Sequence, residues 1–400
     1  MSGPAGSDSA ESGLPSRVNV LIVGGGIQGL SVAYNLARLG ERNLLVLDAG
    51  YFQGGASGRN GTLIRGGFAS DAWTALFALT NRRWIELSGT LRRNVMFSRR
   101  GYLMVAEKPA TAERFDVALS THRSHGVKSR RVTRRELASI APALAADRVL
   151  DAIYLPEGGV APHHAAMDGY LGACREAGVE IRYSTPVSRF LVAGSRVEGV
   201  VAGRPKSERE IRADHIVIAA GAQSVTVGRM AGVELAGFAM RIEAMALEPA
   251  RNLLRPAVAL IDRLCYLGQT ARGEIVGGAE VPERPKVSLA SDLPVMAATA
   301  RAYRDMFPCF GQLRILRHWA GMIHATPDFG PLIGTHPSLE NLWITAGWSY
   351  GFAGAPATGE LLARAIHTGA LDPRLAPFAV DRFERNAPVR ETGIVLAPSS

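Results

Sequence analysis

The stretch VNVLIVGGGIQGLSVAYNLARLG, Val18 to Gly40, decides the fold. Val18 to Val23 is a short apolar, β-rich run, as a buried parallel strand should be. Gly24, Gly26 and Gly29 complete a G-x-G-x-x-G, and Leu30, Ala33, Tyr34, Ala37 and Leu39 then recur at helical spacing. NLLVLDAG follows as a second strand, with Asp48 near its end, nineteen residues after Gly29. Each part has a task in holding a dinucleotide. Gly24 permits the tight turn, Gly26 lets the backbone approach a pyrophosphate, and Gly29 allows close packing of helix on strand. The helix N-terminus offers free N–H groups and a positive dipole end to phosphate. Asp48 can accept hydrogen bonds from an adenosine ribose, and an acid in that place disfavours a 2′-phosphate ligand.

The motif alone does not separate NAD from FAD. Two further glycine-rich stretches do. GGASGRNGTLIRGGF, Gly54 to Phe68, has six glycines in fifteen residues together with two arginines and an asparagine. That composition suits a backbone passing very close to a ligand. TAGWSYGFAGAPATGE, Thr345 to Glu360, lies near the other end of the chain. A long flavin bound in extended form needs both ends of the chain; a nicotinamide enzyme rarely does.

At these residues the chain resembles the FAD-dependent amino acid and amine oxidoreductases of the D-amino acid oxidase/sarcosine oxidase superfamily. It is most like the sarcosine oxidase β subunits. The resemblance covers about residues 18–388 and rests on VLIVGGGIQGLSVAYNLA, GGASGRNGTLIRGGF, FSRRGYLMVA, ADHIVIAAGAQS, RHWAGMIHATPDFGPLIG and NLWITAGWSYGFAGAPATGE. It implies that Ser57, Arg59 and Asn60 lie near the phosphates and ribityl chain, with Gly61 and Thr62 at the flavin ring. Ala220 and Gly221 would pass under the dinucleotide, and the backbone of Val187 would meet the adenine. Ile27, Gln28 and Ala49 would join the cofactor contacts on the first glycine turn and second strand. Gly347, Trp348, Tyr350, Gly351, Phe352 and Ala353 would do so on the last block. Arg65 falls where amino acid-oxidising relatives bind the substrate carboxylate, a task suited to a guanidinium fork. Tyr266 and Tyr350 are candidates for the substrate side of the flavin, or for the core.

Some positions depart from the family pattern. Monomeric sarcosine oxidases tether the flavin through a cysteine where Gly321 stands here, so the resemblance implies non-covalent FAD. The lysine associated with oxygen activation is replaced by Val276, and a second lysine that helps bind the substrate carboxylate by Ala353. Poor reaction with oxygen, and therefore dehydrogenase behaviour, is slightly favoured. In GGVAPHHAAMDGYLGAC, His163 matches best the histidine that β subunits link to FMN. The alternative, preferred here, is a polar residue after Pro162, which reads as the first helical position. His318, His324 and His336 lack metal-ligand spacing and read as structural, so no metal is expected.

Four hundred residues suggest two domains. The expected fold is α/β with α+β: a Rossmann-like FAD-binding domain and an interleaved antiparallel-sheet substrate domain. The FAD-binding domain would take 18–88, 152–230 and 325–388, and the substrate domain 89–151 and 231–324. Residues 1–17 read as a disordered lead-in and 389–400 as a flexible tail. The net charge is +9, and only four of the 45 basic residues are lysine. The paired arginines are scattered, so the charge reads as a solvated surface rather than a nucleic-acid patch. No apolar run is long enough for a membrane span. Three cysteines without CxxC pairing and no secretory signal point to a reducing cytoplasm.

The function these features imply is FAD-dependent oxidation of a C–N bond in an amino acid, an N-methyl or imino acid, or a related secondary amine. Hydride would pass from the α-carbon to flavin N5, and the resulting imine would be hydrolysed. Two alternatives stand beside it. One is a flavin-carrying subunit that needs a partner chain or electron carrier; the other is a non-catalytic FAD-binding protein.

Overall fold

The apolar run at Val18 forms the strand Arg17–Val23, in the middle of an eight-stranded sheet. The computed structural model describes residues 13–279 and 288–391. Arg17–Val23 pairs in parallel with Leu44–Leu47 on one side and Arg209–Ile218 on the other. Glu180–Arg182 and Leu339–Ala346 continue the parallel set outward. Leu332–His336 closes one edge, and Val187–Ala193 with Arg196–Ala202 forms a hairpin on Arg209–Ile218. Strands from three distant parts of the sequence thus lie side by side. Their alternating side chains serve two cores. Val20 and Ile22 pack with the helices Ile27–Arg38, Asp71–Leu91, His163–Glu176 and Gly351–Thr368. Leu21 and Val23 pack on the other face with Phe190, Ile211 and Leu342. Both faces are covered, which is why the strand is apolar throughout rather than alternating.

The first and last helices of this layer touch almost backbone to backbone. A Cβ at Gly359 would lie 2.1 Å from Ser31 Oγ, and Ser31 Oγ donates to the carbonyl of Ala355 at 2.9 Å. This contact brings the C-terminal glycine block beside the N-terminal one.

A second eight-stranded sheet runs in the order Ile315–Ala325, Phe238–Leu247, Ile275–Ala279, Cys265–Gln269, Ala257–Leu260, Tyr102–Ala106, Asp151–Leu155, Arg130–Arg131. Its pairings are antiparallel except between Ala257–Leu260 and Tyr102–Ala106. The helix Leu293–Met306 buries Tyr303 and Met306 against Met245 and Leu267.

Four expectations change. The strand Asp151–Leu155 belongs to the second sheet, so the first inserted piece runs past 151 to Leu155. Arg17 already lies in a strand; residues 1–12 are outside the described residues. The start of the expected flexible tail is fixed: Val389 donates to Asp328 Oδ2 at 2.7 Å, and the buried Glu391 accepts from the N–H groups of Ala69 and Ser70. Residues 392–400 lie outside the described residues. Finally, Pro162 is the cap before His163–Glu176 rather than its first residue.

Candidate active site

A cavity of about 800 Å³ opens where the carboxyl ends of the parallel strands meet the face of the second sheet. Ligands bind in that place in open α/β sheets. Its wall is formed by the glycine turn, Asp48 and most of the loop from Gln53 to Leu63, together with Tyr102, Ala259–Asp262, Leu264–Tyr266, Arg114 and Glu391.

The glycine turn shows why its residues cannot be larger. Gly24 has φ +119°, and a Cβ there would lie 2.3 Å from the carbonyl oxygen of Ala219. A Cβ at Gly29 would lie 1.9 Å from the Gly24 oxygen, so Gly29 is behind the wall, packing helix on turn. Gly26 borders the cavity, and its Cβ would meet only Ser57 Oγ, at 3.2 Å. Ser57 Oγ accepts the N–H of Ile27 at 3.0 Å. Asp48 is oriented by two backbone donors, Gly25 N–H to Oδ2 and Gly50 N–H to Oδ1, both at 2.7 Å. The remaining lone pairs of its carboxylate are available to a ribose. Asp48→Ala is expected to weaken FAD binding by about 1.5–3 kcal/mol, the range for a hydrogen bond to a charged acceptor. Titration of the apoprotein with FAD measures it, and an unchanged dissociation constant removes Asp48 from the site.

The arginine-bearing glycine loop is built to cross between the sheets. Asn60 Nδ2 donates to Ser57 O, while Asn60 Oδ1 accepts from Thr62 N–H, which holds Thr62 at φ +64°. Arg59 Nε donates to Gly54 O at 3.1 Å, and Arg59 O accepts from Trp319 Nε1 at 2.9 Å. Gly61 lies directly against Tyr266, whose ring a Cβ would strike at 2.1 Å. At the other end of the chain, Gln28 Nε2 donates to Gly351 O and Gln28 Oε1 accepts from Thr345 Oγ1. Trp348 Nε1 donates to that same hydroxyl. Gln28 therefore ties the first glycine turn to the C-terminal glycine block.

Gly24, Gly26, Ile27, Gln28, Asp48, Ala49, Ser57, Arg59, Asn60, Gly61, Thr62, Val187, Ala220, Gly221, Trp348, Tyr350, Gly351, Phe352, Ala353 and Tyr266 all line this cavity. Gly29, Gly347, Arg65 and Val276 do not. Arg65 corrects the expectation of a guanidinium reaching directly for substrate. It is 3% exposed, with its guanidinium carbon 4.0 Å from the ring centre of Phe68, 5.2 Å from Tyr350 and 5.5 Å from Tyr102. It stands one layer behind two tyrosines that do line the wall. Beneath it the buried His122 is pushed down to about 4 by desolvation and by the Arg65 charge. Val276 corrects the expected oxygen-side position, because none of Ile275–Ala279 reaches the wall. His163 is also away from the cavity, edge-on to His164. His318 pairs with Glu243, and His336 accepts from Ser338 N–H, so the three histidines do not converge.

The sequence reading missed Arg114, Cys265, Glu391 and His324 in the wall. Arg114 and Glu391 are carried by a helix and a terminal segment whose sequences hold no glycine or motif signal. His324 had one, its place inside the block RHWAGMIHATPD, but it was read as structural.

A glycine turn with a cavity-facing Gly26, an acid held at Asp48 and a second glycine turn across the cavity match what an extended FAD requires. The family model described as FAD dependent oxidoreductase matches residues 19–365. The chain belongs to that family. It is an FAD-dependent oxidoreductase of the amine- and amino-acid-oxidising kind. It is similar to the sarcosine oxidase subunit β of Rhodobacter capsulatus, 30% identical over 387 residues, with 94% of this chain and 91% of that protein covered. The Arthrobacter sp. subunit β is 29% identical, with 94% and 93% covered. Among solved structures, the L-proline dehydrogenase from P. horikoshii superposes with a TM-score of 0.87 at 27% identity, covering 94% of this chain and 100% of that one. Among the described residues, no helix is long and apolar enough to cross a membrane.

Proposed function

We propose that the chain oxidises the C–N bond of a secondary amino acid, with FAD bound without a covalent link. The observation that carries this reading is the continuity of one cavity. Its one wall takes in the dinucleotide turn and also Tyr102, Tyr266, Tyr350 and Arg114. Bound FAD would supply the two-electron oxidant. The residues of the chain would orient the substrate. The tyrosines with Leu260, Ile261 and Leu264 offer an apolar bed for an α-carbon and its nitrogen substituent. Arg114, which makes no ion pair with another described residue, would hold the carboxylate, with the Arg65 charge behind the tyrosines in support. The names of the relatives agree in one chemical respect: sarcosine and proline are both α-amino acids with a secondary nitrogen. Gly321 in the wall carries no thiol to tether a flavin, so acid denaturation should release the flavin intact; flavin retained on the denatured chain would overturn this and point to Cys265, which also lines the cavity.

No lysine lines the cavity among the described residues; Lys286 lies outside them. A free cation beside reduced flavin stabilises developing superoxide; of the arginines on the wall, Arg59 is held by the Gly54 and Ala320 carbonyls and Arg114 is assigned to the substrate carboxylate, so transfer to a dye or carrier protein should outpace transfer to oxygen. One stopped-flow experiment tests the whole reading. The loaded protein is mixed anaerobically with N-methylglycine, proline, their amides and primary amino acids, and then with oxygen. Secondary amino acids should bleach the flavin and their amides should not. Arg114→Ala should raise the half-saturating concentration by at least about tenfold, as loss of one charged hydrogen bond does. Absence of bleaching by any secondary amino acid overturns the substrate class. Reoxidation by oxygen at the turnover rate overturns the preference for another acceptor.

A second reading, that the chain works as one subunit of a complex, is favoured by its outermost strand. Ile315–Ala325 is the edge of the second sheet and exposes Ile315 and Leu316, the latter 58% exposed. Exposed apolar side chains on an unpaired edge suit a protein interface. Turnover by the purified chain at its monomeric mass would remove this reading.

A further inference from the structure

His324 is 1% exposed, lines the cavity and lies near the end of the strand Ile315–Ala325. It meets two backbone groups of opposite kind. Its Nε2 is 2.8 Å from the carbonyl oxygen of Ala236, and its Nδ1 is 3.0 Å from the N–H of Gly347. A nitrogen facing a carbonyl must donate, and one facing an N–H must accept. Only the neutral Nε2–H tautomer satisfies both. The Gly347 end matters for the site. Gly347 has φ +70° and a Cβ there would lie 2.6 Å from the Thr326 methyl, so the turn has little freedom. The residues it launches, Trp348 to Ala353, form the wall at the flavin end.

We propose that His324 is a positioning residue for FAD: its neutral imidazole sets the Gly347 turn, so the cofactor binds only the form in which Nδ1 accepts. The surroundings keep that form. Burial pushes His324 below the ordinary imidazole value; the Ala236 carbonyl opposes this, and the Arg382 charge adds to the lowering. Arg382 is itself paired with Asp328, and the strand Phe238–Leu247 opposite places Ala239 against His324. A second proton would turn Nδ1 into a donor facing the Gly347 N–H. Two donors repel, and the turn would shift away from the flavin. The sign follows from linkage: the FAD-binding state holds fewer protons, so affinity is constant above the pKa of His324 and falls as pH drops through it.

The test measures the FAD dissociation constant of the apoprotein between pH 4.5 and 8 for wild type, His324→Asn and His324→Leu. Asparagine places Oδ1 where Nδ1 stands and does not titrate. Wild type should lose up to about tenfold in affinity per pH unit on the acid side, the limit for one proton. His324→Asn should bind within about threefold of wild type at pH 8, with that acid-side loss reduced. His324→Leu should bind at least about tenfold more weakly than wild type at pH 8, as a missing acceptor does, with the gap narrowing on the acid side. The proposal is overturned if His324→Asn keeps the wild-type pH slope, or if His324→Leu binds like wild type at pH 8. Should the leucine variant fail to fold, the asparagine slope alone decides. The inference rests on FAD binding and not on the proposed substrate, so no outcome of the bleaching experiment bears on it.

Discussion

Gly26→Val is expected to give a folded protein that retains no FAD. The residue caps the helix Ile27–Arg38 with φ −75° and ψ −179°, a conformation that valine adopts readily. Its Cβ would meet a single neighbour, Ser57 Oγ, at 3.2 Å, a tight contact that a small shift of that short side chain relieves. The two methyl groups beyond would project where the pyrophosphate must approach. Losing two charged hydrogen bonds there, at about 1.5–3 kcal/mol each, amounts to at least ~100-fold in affinity before any steric cost. Gly29→Val supplies the contrast. Its Cβ, behind the wall, would sit 1.9 Å from the backbone oxygen of Gly24, and that variant should fail to fold. The measurements are the flavin-to-protein ratio after purification and the circular dichroism melt of each variant. Full flavin content in folded Gly26→Val would mean that the cofactor does not pass this turn.

The second large effect comes from the block TPDFG. Asp328 and Arg382 form a salt bridge with side chains 2% and 1% exposed. Asp328 Oδ2 accepts from Arg382 Nε at 2.9 Å and Oδ1 from Nη2 at 2.7 Å. The same carboxylate accepts the N–H groups of Gly330 and Val389. Asp328→Ala would leave a buried guanidinium with backbone carbonyls and the Phe383 ring but no counter-charge. Removing one partner of a buried pair costs about 3–5 kcal/mol, which is a large share of the ~5–15 kcal/mol that holds a domain folded. A fall in Tm of roughly 10 °C is expected. The damage should reach the site, because Ser349, in the turn that carries Trp348 and Tyr350 into the cavity wall, donates to Phe329 O at 2.8 Å. Bound FAD should therefore raise the Tm of the variant less than that of wild type. Asp328→Ala combined with Arg382→Leu should recover part of the loss, since the stranded charge is then gone. A Tm within about 2 °C of wild type for the single variant would contradict this account.

The pH dependence of that pair has a definite sign. Burial alone would raise the pKa of Asp328, but the hydrogen bonds and charge of Arg382, with the Val389 and Gly330 N–H groups, outweigh it and hold it below its ordinary value. A depressed folded pKa contributes stability above the unfolded value, about 3.9, and loses it as pH falls through the folded one. The gap between wild type and Asp328→Ala should accordingly be full at neutral pH and close under strong acid.

The sequence by itself determined the dinucleotide half of this protein. The turn at Gly24–Gly29 and the acid at Asp48 depend on local geometry and fixed spacing, and these survive as a string of residues. The loop from Ser57 to Thr62 is legible too, because its glycines record how near Gln53 and Tyr266 lie. The tertiary structure decided the rest, because it depends on which distant segments meet. Arg65 looks like a substrate ligand in sequence, yet the packing of Phe68, Tyr102 and Tyr350 places it behind the wall. Arg114 and Glu391 reach the wall from a helix and a terminal segment with no motif of their own. His324 is an ordinary strand residue until Ala236 and Gly347 are folded against its two nitrogens. A glycine's need for space is written one residue at a time. The tautomer of a histidine and the reach of an arginine are set by neighbours far away along the chain, and only the folded molecule brings them together.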